Sequence, residues 1–350
     1  MIALCGGGTG GHIYPAIALA QELGGENCFF ITSQDRVDSE IVRRYGFQTV
    51  PIAFNKKRKM WGLFAAIRQA NSVLKTRQPR AVIATGGYFT LPVIIAAEWQ
   101  KIPIFILEQN ILPGRVNRLA ARFARVIYTA FTESSRFLPK KVQVKPLGNP
   151  VRSTYVSEPP AADWRPIVES NRPMMLVIGG SQGAAALNRY IIERKSEFLA
   201  SDWNVVHLMG QGGYHKEFGD TPFSLVSDES GTPRVAHLPY FEGMDLLYRH
   251  AKVAIARAGA TTLAELRHFQ LPAVLVPFPF AKDDHQRINA EVAEAQGGAT
   301  VISEADLLKL PVPGLIARIH GISPIEFPEN TEGVAKQIVA DIRKEIRPVI

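Results

Sequence analysis

The sequence predicts an α/β protein of the doubly wound kind, built as two Rossmann-like domains whose parallel sheets face each other across a cleft. Three observations carry this. The apolar run Met1–Cys5 ends in Gly6-Gly-Gly-Thr-Gly-Gly11, five glycines in six residues, and then a helix-like pattern begins at His12. Half a chain later the same arrangement returns, with Met174–Ile178 leading into Gly179-Gly-Ser181-Gln182-Gly183 and a second helical segment. Between and beyond them, short apolar runs alternate with helical segments, the pattern of buried parallel strands and their crossover helices.

Taken in order, the expected strands of the first half are Met1–Cys5, Cys28–Thr32, Ala81–Thr85, Ile104–Leu107, Val126–Thr129 and Val142–Pro146. Those of the second half are Met174–Ile178, Val205–Met209, Val235–Leu238, Val253–Ala256, Ala273–Pro277 and Ala299–Ile302. Ser157–Pro173, with prolines at 159, 160, 166 and 173, reads as the linker. This gives domains of residues 1–156 and 157–330. A tail from Thr331 to Ile346 follows, with Val334, Ile338, Val339 and Ile342 at helical spacing; that helix is expected to pack back on the first domain.

Composition narrows the function classes. At 350 residues the chain exceeds what one core usually serves, and 46% hydrophobic residues suffice for two. No apolar segment reaches the roughly 18 residues a spanning helix needs, and the first strand starts without a basic leader, so a cytoplasmic protein is expected. Cys5 and Cys28 lie in apolar runs and read as buried reduced thiols. No cysteine and histidine cluster has zinc spacing, so no metal site is expected. The net charge of +8 divides unevenly: residues 1–152 hold 21 Lys and Arg against 8 Asp and Glu, and residues 153–350 hold 19 against 24. The basic half should meet something anionic. No nucleic-acid motif accompanies the charge, which leaves a phosphorylated ligand or an anionic lipid surface.

A strand ending in glycines lets backbone approach an anion, and the following helix offers unpaired N–H groups and its positive dipole end. Gly6, Gly8 and Gly11 satisfy G-x-G-x-x-G and Asp35 stands near the place of a ribose carboxylate, so a dinucleotide site is one reading. His12 fits it poorly, because a pyrophosphate needs no imidazole there. Beside an anion site His12 suits orienting a phosphate or accepting a proton. Thr85-Gly86-Gly87-Tyr88 and Glu108-Gln109-Asn110 follow two further strands, at the sheet edge where ligands of open α/β folds bind. In the second half, Arg257-Ala-Gly-Ala260-Thr261-Thr262-Leu263-Ala264-Glu265 opens a helix with small and hydroxyl residues. Glu265, one turn inside, is placed to accept from both hydroxyls of a ribose, or to stabilise the helix start. The loop through Asp284-His285-Gln286 follows the next strand. Finally, Lys56, Lys57, Arg58 and Lys59 adjoin Met60, Trp61, Leu63, Phe64 and Ile67, the composition of a surface that sits on anionic headgroups.

Together these residues resemble the MurG family of membrane-associated N-acetylglucosaminyltransferases. The resemblance runs through Gly7–His12, Thr85–Tyr88, Glu108–Asn110 with Gly114 and Asn117, Gly148–Arg152, Gly179–Ala184 with Asn188, Arg257–Glu265, and Asp284–Ala290. It implies a GT-B fold and a metal-independent, cofactor-free inverting transfer of N-acetylglucosamine (GlcNAc) from UDP-GlcNAc to lipid I, undecaprenyl-diphosphate-MurNAc-pentapeptide. The product is lipid II. It further implies peripheral placement on the cytoplasmic face of the bacterial inner membrane, a part in cell-wall synthesis, cell shape and division, and other wall-synthesis proteins as partners. Donor contacts carry over to Thr9, Gly10, Gly11, Asn110, Arg152, Ser181, Gln182, Phe241 through its backbone, Arg257, Ala260, Thr261, Thr262, Leu263, Ala264, Glu265, His285 and Gln286. The acceptor falls to Gly86, Gly87 and Tyr88, with His12 and Glu108 as the two candidates for its hydroxyl proton. Leu107 stands where the family commonly has histidine.

Two other functions share much of this pattern. A UDP-GlcNAc 2-epimerase would use the same fold but needs no membrane surface, against which the Lys56–Ile67 cluster speaks. A membrane-docked UDP-sugar-binding protein without turnover would have no use for His12 and Glu108.

Overall fold

The computed structural model describes residues 1–7, 10–34, 36–54, 59–180, 182–322 and 333–346. Tertiary contacts divide the chain into two units, Met1–Thr154 with Asn330–Ile350, and Tyr155–Glu329. The division falls at residue 154, just ahead of the Pro-rich stretch, and Ser157–Pro173 belongs to the second unit.

The first unit runs β1 (Ile2–Cys5), α1 (Gly10–Leu23), β2 (Cys28–Ser33), α2 (Arg36–Arg44), β3 (Thr49–Ile52), α3 (Lys59–Arg77), β4 (Ala81–Ala84), α4 (Thr90–Trp99), β5 (Ile104–Glu108), α5 (Arg115–Ala120), β6 (Val126–Thr129) and β7 (Gln143–Pro146). Its sheet has the order β3-β2-β1-β4-β5-β6-β7, with every pairing parallel. Period-two alternation sorts each strand into two layers. Ile2, Leu4, Phe30, Ile83, Phe105 and Leu107 face one layer; Ala3, Cys5, Phe29, Ile31, Val82, Ala84 and Ile106 face the other. Helices cover both faces, which is why these strands are apolar throughout. Cys5 and Cys28 are buried free thiols in this core, and burial pushes both up, Cys28 to about 11.

The second unit runs α6 (Arg165–Glu169), β8 (Met174–Ile178), α7 (Ala185–Glu193), α8 (Lys195–Ala200), β9 (Asn204–Leu208), α9 (Gln211–Phe218), β10 (Ser224–Ser227), β11 (Pro233–Leu238), α10 (Met244–His250), β12 (Ala251–Ala256), α11 (Ala260–His268), β13 (Ala273–Leu275), α12 (His285–Ala295), β14 (Ala299–Val301), α13 (Glu304–Lys309) and α14 (Val312–His320). Its order is β10-β11-β9-β8-β12-β13-β14. All pairings are parallel except β10 with β11, an antiparallel edge hairpin. Met174, Leu176 and Ile178 face one layer and Met175 and Val177 the other.

The last helix, α15 (Val334–Glu345), joins the core of the first unit. Its Val334, Ile338, Val339 and Ile342 pack with residues of β1, β2, α1, β5 and β6. Asp341 accepts a hydrogen bond from the Tyr128 hydroxyl at 2.8 Å and from Lys145 Nζ at 2.6 Å, and Arg125 pairs with Glu345 at 2.8 Å. Burial first, and then Asp341, raise the Tyr128 phenol, so the bond is held by a neutral donor.

In each sheet the chain leaves the first-formed strand in one direction and later returns to its other side. The reversal lies between β1 and β4 in the first unit and between β8 and β12 in the second. The loops beyond the carboxyl ends of these strands form the edge at which such sheets receive ligands.

Candidate active site

In the first unit, the loops after the adjacent strands β1, β4 and β5 interlock. Gly86 and Gly87 have φ of +106° and +90°, a region glycine enters without cost. They also leave no room for a side chain: a methyl at Gly86 would stand 2.9 Å from His12 Nδ1, and one at Gly87 2.3 Å from the Gly7 carbonyl. Two glycine turns therefore close around one imidazole. Thr85 fixes it from both ends. Its hydroxyl donates to the His12 carbonyl at 2.7 Å, and its own carbonyl lies 2.9 Å from His12 Nδ1.

A carbonyl only accepts, so Nδ1 carries the proton and the lone pair of the neutral ring is on Nε2. Burial holds this imidazole below its usual pKa, opposed by the Glu108 carboxylate, the Thr85 carbonyl and Asp38. A neutral histidine with a fixed tautomer is what a general base requires.

Glu108, at the end of β5, is fully buried and already engaged. Its Oε1 accepts from the Asn110 backbone N–H at 2.9 Å and from Asn110 Nδ2 at 3.4 Å; its Oε2 accepts from the Gly114 N–H at 2.9 Å and from Asn117 Nδ2 at 2.8 Å. Four donors from residues 110–117 make it the organiser of residues 108–117. Gln109 is tied to the Thr85 carbonyl at 2.7 Å, which links this loop to the histidine. Tyr88 is exposed and lies against Phe54. Arg152 is buried beyond β7, stacked 3.9 Å over the Tyr14 ring of α1 and bonded to the Tyr45 hydroxyl at 2.7 Å. Gly10 and Gly11 open α1, whereas Thr9 lies outside the described residues.

In the second unit the loops after β8, β11, β12 and β13 carry the remaining positions, and three of these strands, β8, β12 and β13, are adjacent. Gly183, with φ of +75°, packs backbone to backbone on the Met209–Gly210 segment after β9. Gln182 is exposed, and Ser181 lies outside the described residues. Ala260, Thr261, Thr262, Leu263 and Ala264 form the first turns of α11 behind Gly259. Glu265 is buried and accepts from the Tyr248 hydroxyl at 2.9 Å.

Arg257 is engaged by its own unit. It donates to the carbonyls of Val276 and Pro277 at 3.0 and 3.3 Å and pairs with Glu304, so it braces the β13 loop. Gln286 accepts from the Phe278 N–H at 3.0 Å, and His285 begins α12. Phe241 buries its ring edge-on against Trp164, which leaves its backbone to the loop.

On the surface of the first unit, Trp61 is 84% and Phe64 55% exposed, three residues apart on α3. Leu63 is half-buried beside them, and Ile67 is buried and belongs to the packing of α3 rather than to this face. Lys56, Lys57 and Arg58 lie outside the described residues, and Lys59 is the first residue of α3. Among the described residues, no helix is long and apolar enough to cross a membrane.

Two sequence signatures match this chain. Residues 2–129 match the glycosyltransferase family 28 N-terminal domain and residues 174–344 the family 28 C-terminal domain. A relative from Desulfotalea psychrophila, the UDP-N-acetylglucosamine–N-acetylmuramyl-(pentapeptide) pyrophosphoryl-undecaprenol N-acetylglucosamine transferase, is 37% identical over 342 residues, covering 92% of this chain and 88% of its own. The chain belongs to the MurG family.

The crystal structure of MurG from Acinetobacter baumannii shares the fold at a TM-score of 0.67 and 24% identity, covering 98% of this chain and 99% of that one. The fold alone is not selective. A putative UDP-N-acetylglucosamine 2-epimerase from Listeria monocytogenes superimposes at 0.71 with 12% identity, covering 100% and 97%.

In this MurG-family chain the glycine turns and the polar residues after strand ends are legible in the sequence, whereas the partners that hold them are not. Tyr248 behind Glu265, Glu304 behind Arg257, and Tyr14 and Tyr45 around Arg152 are partners 17 to 138 residues distant, given by the fold and by no local pattern. Thr85 shows in the sequence only as the start of a turn.

Proposed function

We infer that this chain is a hexosyltransferase that moves GlcNAc from UDP-GlcNAc to lipid I, forming lipid II. The observation that carries it is the 37% identity, over nine-tenths of the chain, to a transferase named for that reaction. In this reading the acceptor hydroxyl oxygen attacks C1 of GlcNAc as the bond from C1 to the UDP oxygen breaks. The hydroxyl proton passes to His12 Nε2, and the departing charge stays on the diphosphate. Glu108 holds the loop beside the base. Gly86, Gly87 and Tyr88 line the acceptor side, and the Gly179–Gly183 turn with the start of α11 receives the donor, Glu265 taking the ribose. The turn amides and helix dipoles supply the leaving-group stabilisation that a divalent cation supplies in other transferases.

The test is a transfer assay with labelled UDP-GlcNAc and a lipid I analogue, run in excess EDTA. Labelled lipid II is expected at an undiminished rate. Formation of the 2-epimeric UDP-sugar without lipid product would return the chain to the epimerase reading, and turnover rescued only by Mg²⁺ or Mn²⁺ would overturn metal independence.

The lipid acceptor places the enzyme at the cytoplasmic membrane surface, and the Lys56–Lys59 run beside exposed Trp61 and Phe64 is the docking face. At about 1 kcal/mol per cation, four cations contribute much of a reversible association. Replacing all four by Gln is expected to weaken binding to anionic liposomes and to slow turnover of bilayer-embedded lipid I more than of a short-chain soluble analogue. Equal rates on both acceptors, with intact liposome binding, would move the docking face elsewhere.

A further inference from the structure

We propose that His207 and His237 are positioning residues for the donor diphosphate: a buried neutral pair that, through Asn188, holds the Met209–Gly210 backbone against the Gly179–Gly183 turn. The proposal rests on the reading that this turn receives the phosphates of UDP-GlcNAc.

The two histidines are direct neighbours in register on β9 and β11, and both are buried. Their protons are assigned from one fixed point. The Met209 carbonyl only accepts, so the Asn188 atom 3.0 Å from it is the amide Nδ2. Asn188 Oδ1 then faces His207 Nε2 at 3.0 Å, which places a proton on Nε2. A neutral His207 has its lone pair on Nδ1, 3.0 Å from His237 Nδ1, and that atom therefore carries the other proton. Phe218 of α9 stacks on the far ring, with centroids 5.2 Å apart. A single donor direction thus runs from His237 through His207 and Asn188 to the carbonyl.

What lies at the end of this chain has no slack. A methyl at Gly183 would stand 2.2 Å from the Met209 oxygen, and one at Gly210 2.4 Å from the Gly183 nitrogen. Gly213 leaves space for Asn188, since a methyl there would come within 2.5 Å of Nδ2. A shift of Met209 is therefore passed directly into the turn. Burying polar rings where apolar ones would pack at no desolvation cost is explained by this tether.

The test compares His207→Phe, which keeps the ring volume and loses both bonds, with His207→Gln, whose amide can donate to Asn188 and accept from His237. Calorimetric binding of UDP and steady-state kinetics are read on protein shown folded by circular dichroism. His207→Phe is expected to weaken UDP binding and raise the donor KM about tenfold, with kcat and acceptor KM within twofold. His207→Gln is expected to recover most of the loss. Should His207→Phe not fold, His237→Phe carries the test, with a severalfold rise in donor KM expected. A folded His207→Phe or His237→Phe protein that binds UDP like wild type overturns the proposal, as does a Gln variant no better than Phe. Wild-type protein that fails to bind UDP would instead remove the donor reading, and with it this assignment.

Discussion

After β1, the glycine turn and its neighbour after β4 close around an ionisable ring, His12, which stands at the ligand edge with its tautomer fixed by Thr85. After β8, Gly183 packs on the Met209–Gly210 backbone, and two histidines of that unit, His207 and His237, sit behind it, buried and tied through Asn188 to the Met209 carbonyl. The same strand-glycine-helix grammar therefore serves two purposes. Under the proposed function, a titratable group enclosed at the edge suits moving a proton, and one withdrawn into the core suits holding a charge still.

The sharpest test of that contrast is at His12. His12→Gln keeps a side chain of similar reach without a comparable base, and kcat is expected to fall by about 10²–10⁴ with UDP binding unchanged. A comparable loss in UDP affinity would erase the distinction between the two edges. Next in size is Glu265→Gln in the second unit. A charge-assisted bond is worth about 1.5–3 kcal/mol, so donor kcat/KM should drop roughly 10- to 100-fold while the acceptor KM holds. An unaltered donor kcat/KM would leave Glu265 as a support for Tyr248 alone.

The smallest effect concerns acid. Burial pushes His237 down to about 4, helped by Lys195, and pushes His207 well below its ordinary value, helped by His237. The unfolded chain takes up these protons near pH 6.5 and the folded chain does not, so the stability contribution is complete above that pH and is lost as pH falls toward 4. Between pH 7 and 5.5 His237 alone should cost the second unit about 1 kcal/mol, read as a lower urea midpoint. His237→Gln should make that slope shallower; an unchanged slope would mean the ring is not held neutral.

The sheets were largely legible because a strand covered on both faces must be apolar along its length, and twelve such runs stand out in the sequence. The two strands missed, β3 and β10, are edge strands. β3 contains Pro51 and is only partly buried, and β10 is bounded by Ser224 and Ser227 and half-exposed. Neither needs a continuous apolar run, and β10 is also, among the described residues, the one antiparallel member, which a pattern of crossovers does not foretell. At the site, glycines and polar residues after strand ends were readable because local backbone demands them. Their roles were less so: Arg257 and Glu108 have the residue types of ligand contacts, and only the fold reveals how many protein partners they already hold.

The seating of α15 in the first core has a consequence in time. The unit that leaves the ribosome first lacks Val334, Ile338, Val339 and Ile342 until the whole second unit has been made, some 180 residues later. At about 5–20 residues per second that is an interval of roughly 10–40 s. During it the apolar residues of β1, β2, β5 and β6 that α15 covers lack that cover, and Lys145 and Tyr128 lack Asp341. The second unit has all its parts before the first does. The domain begun earliest is thus the last to close, and the chain's final dozen helical residues act as its latch.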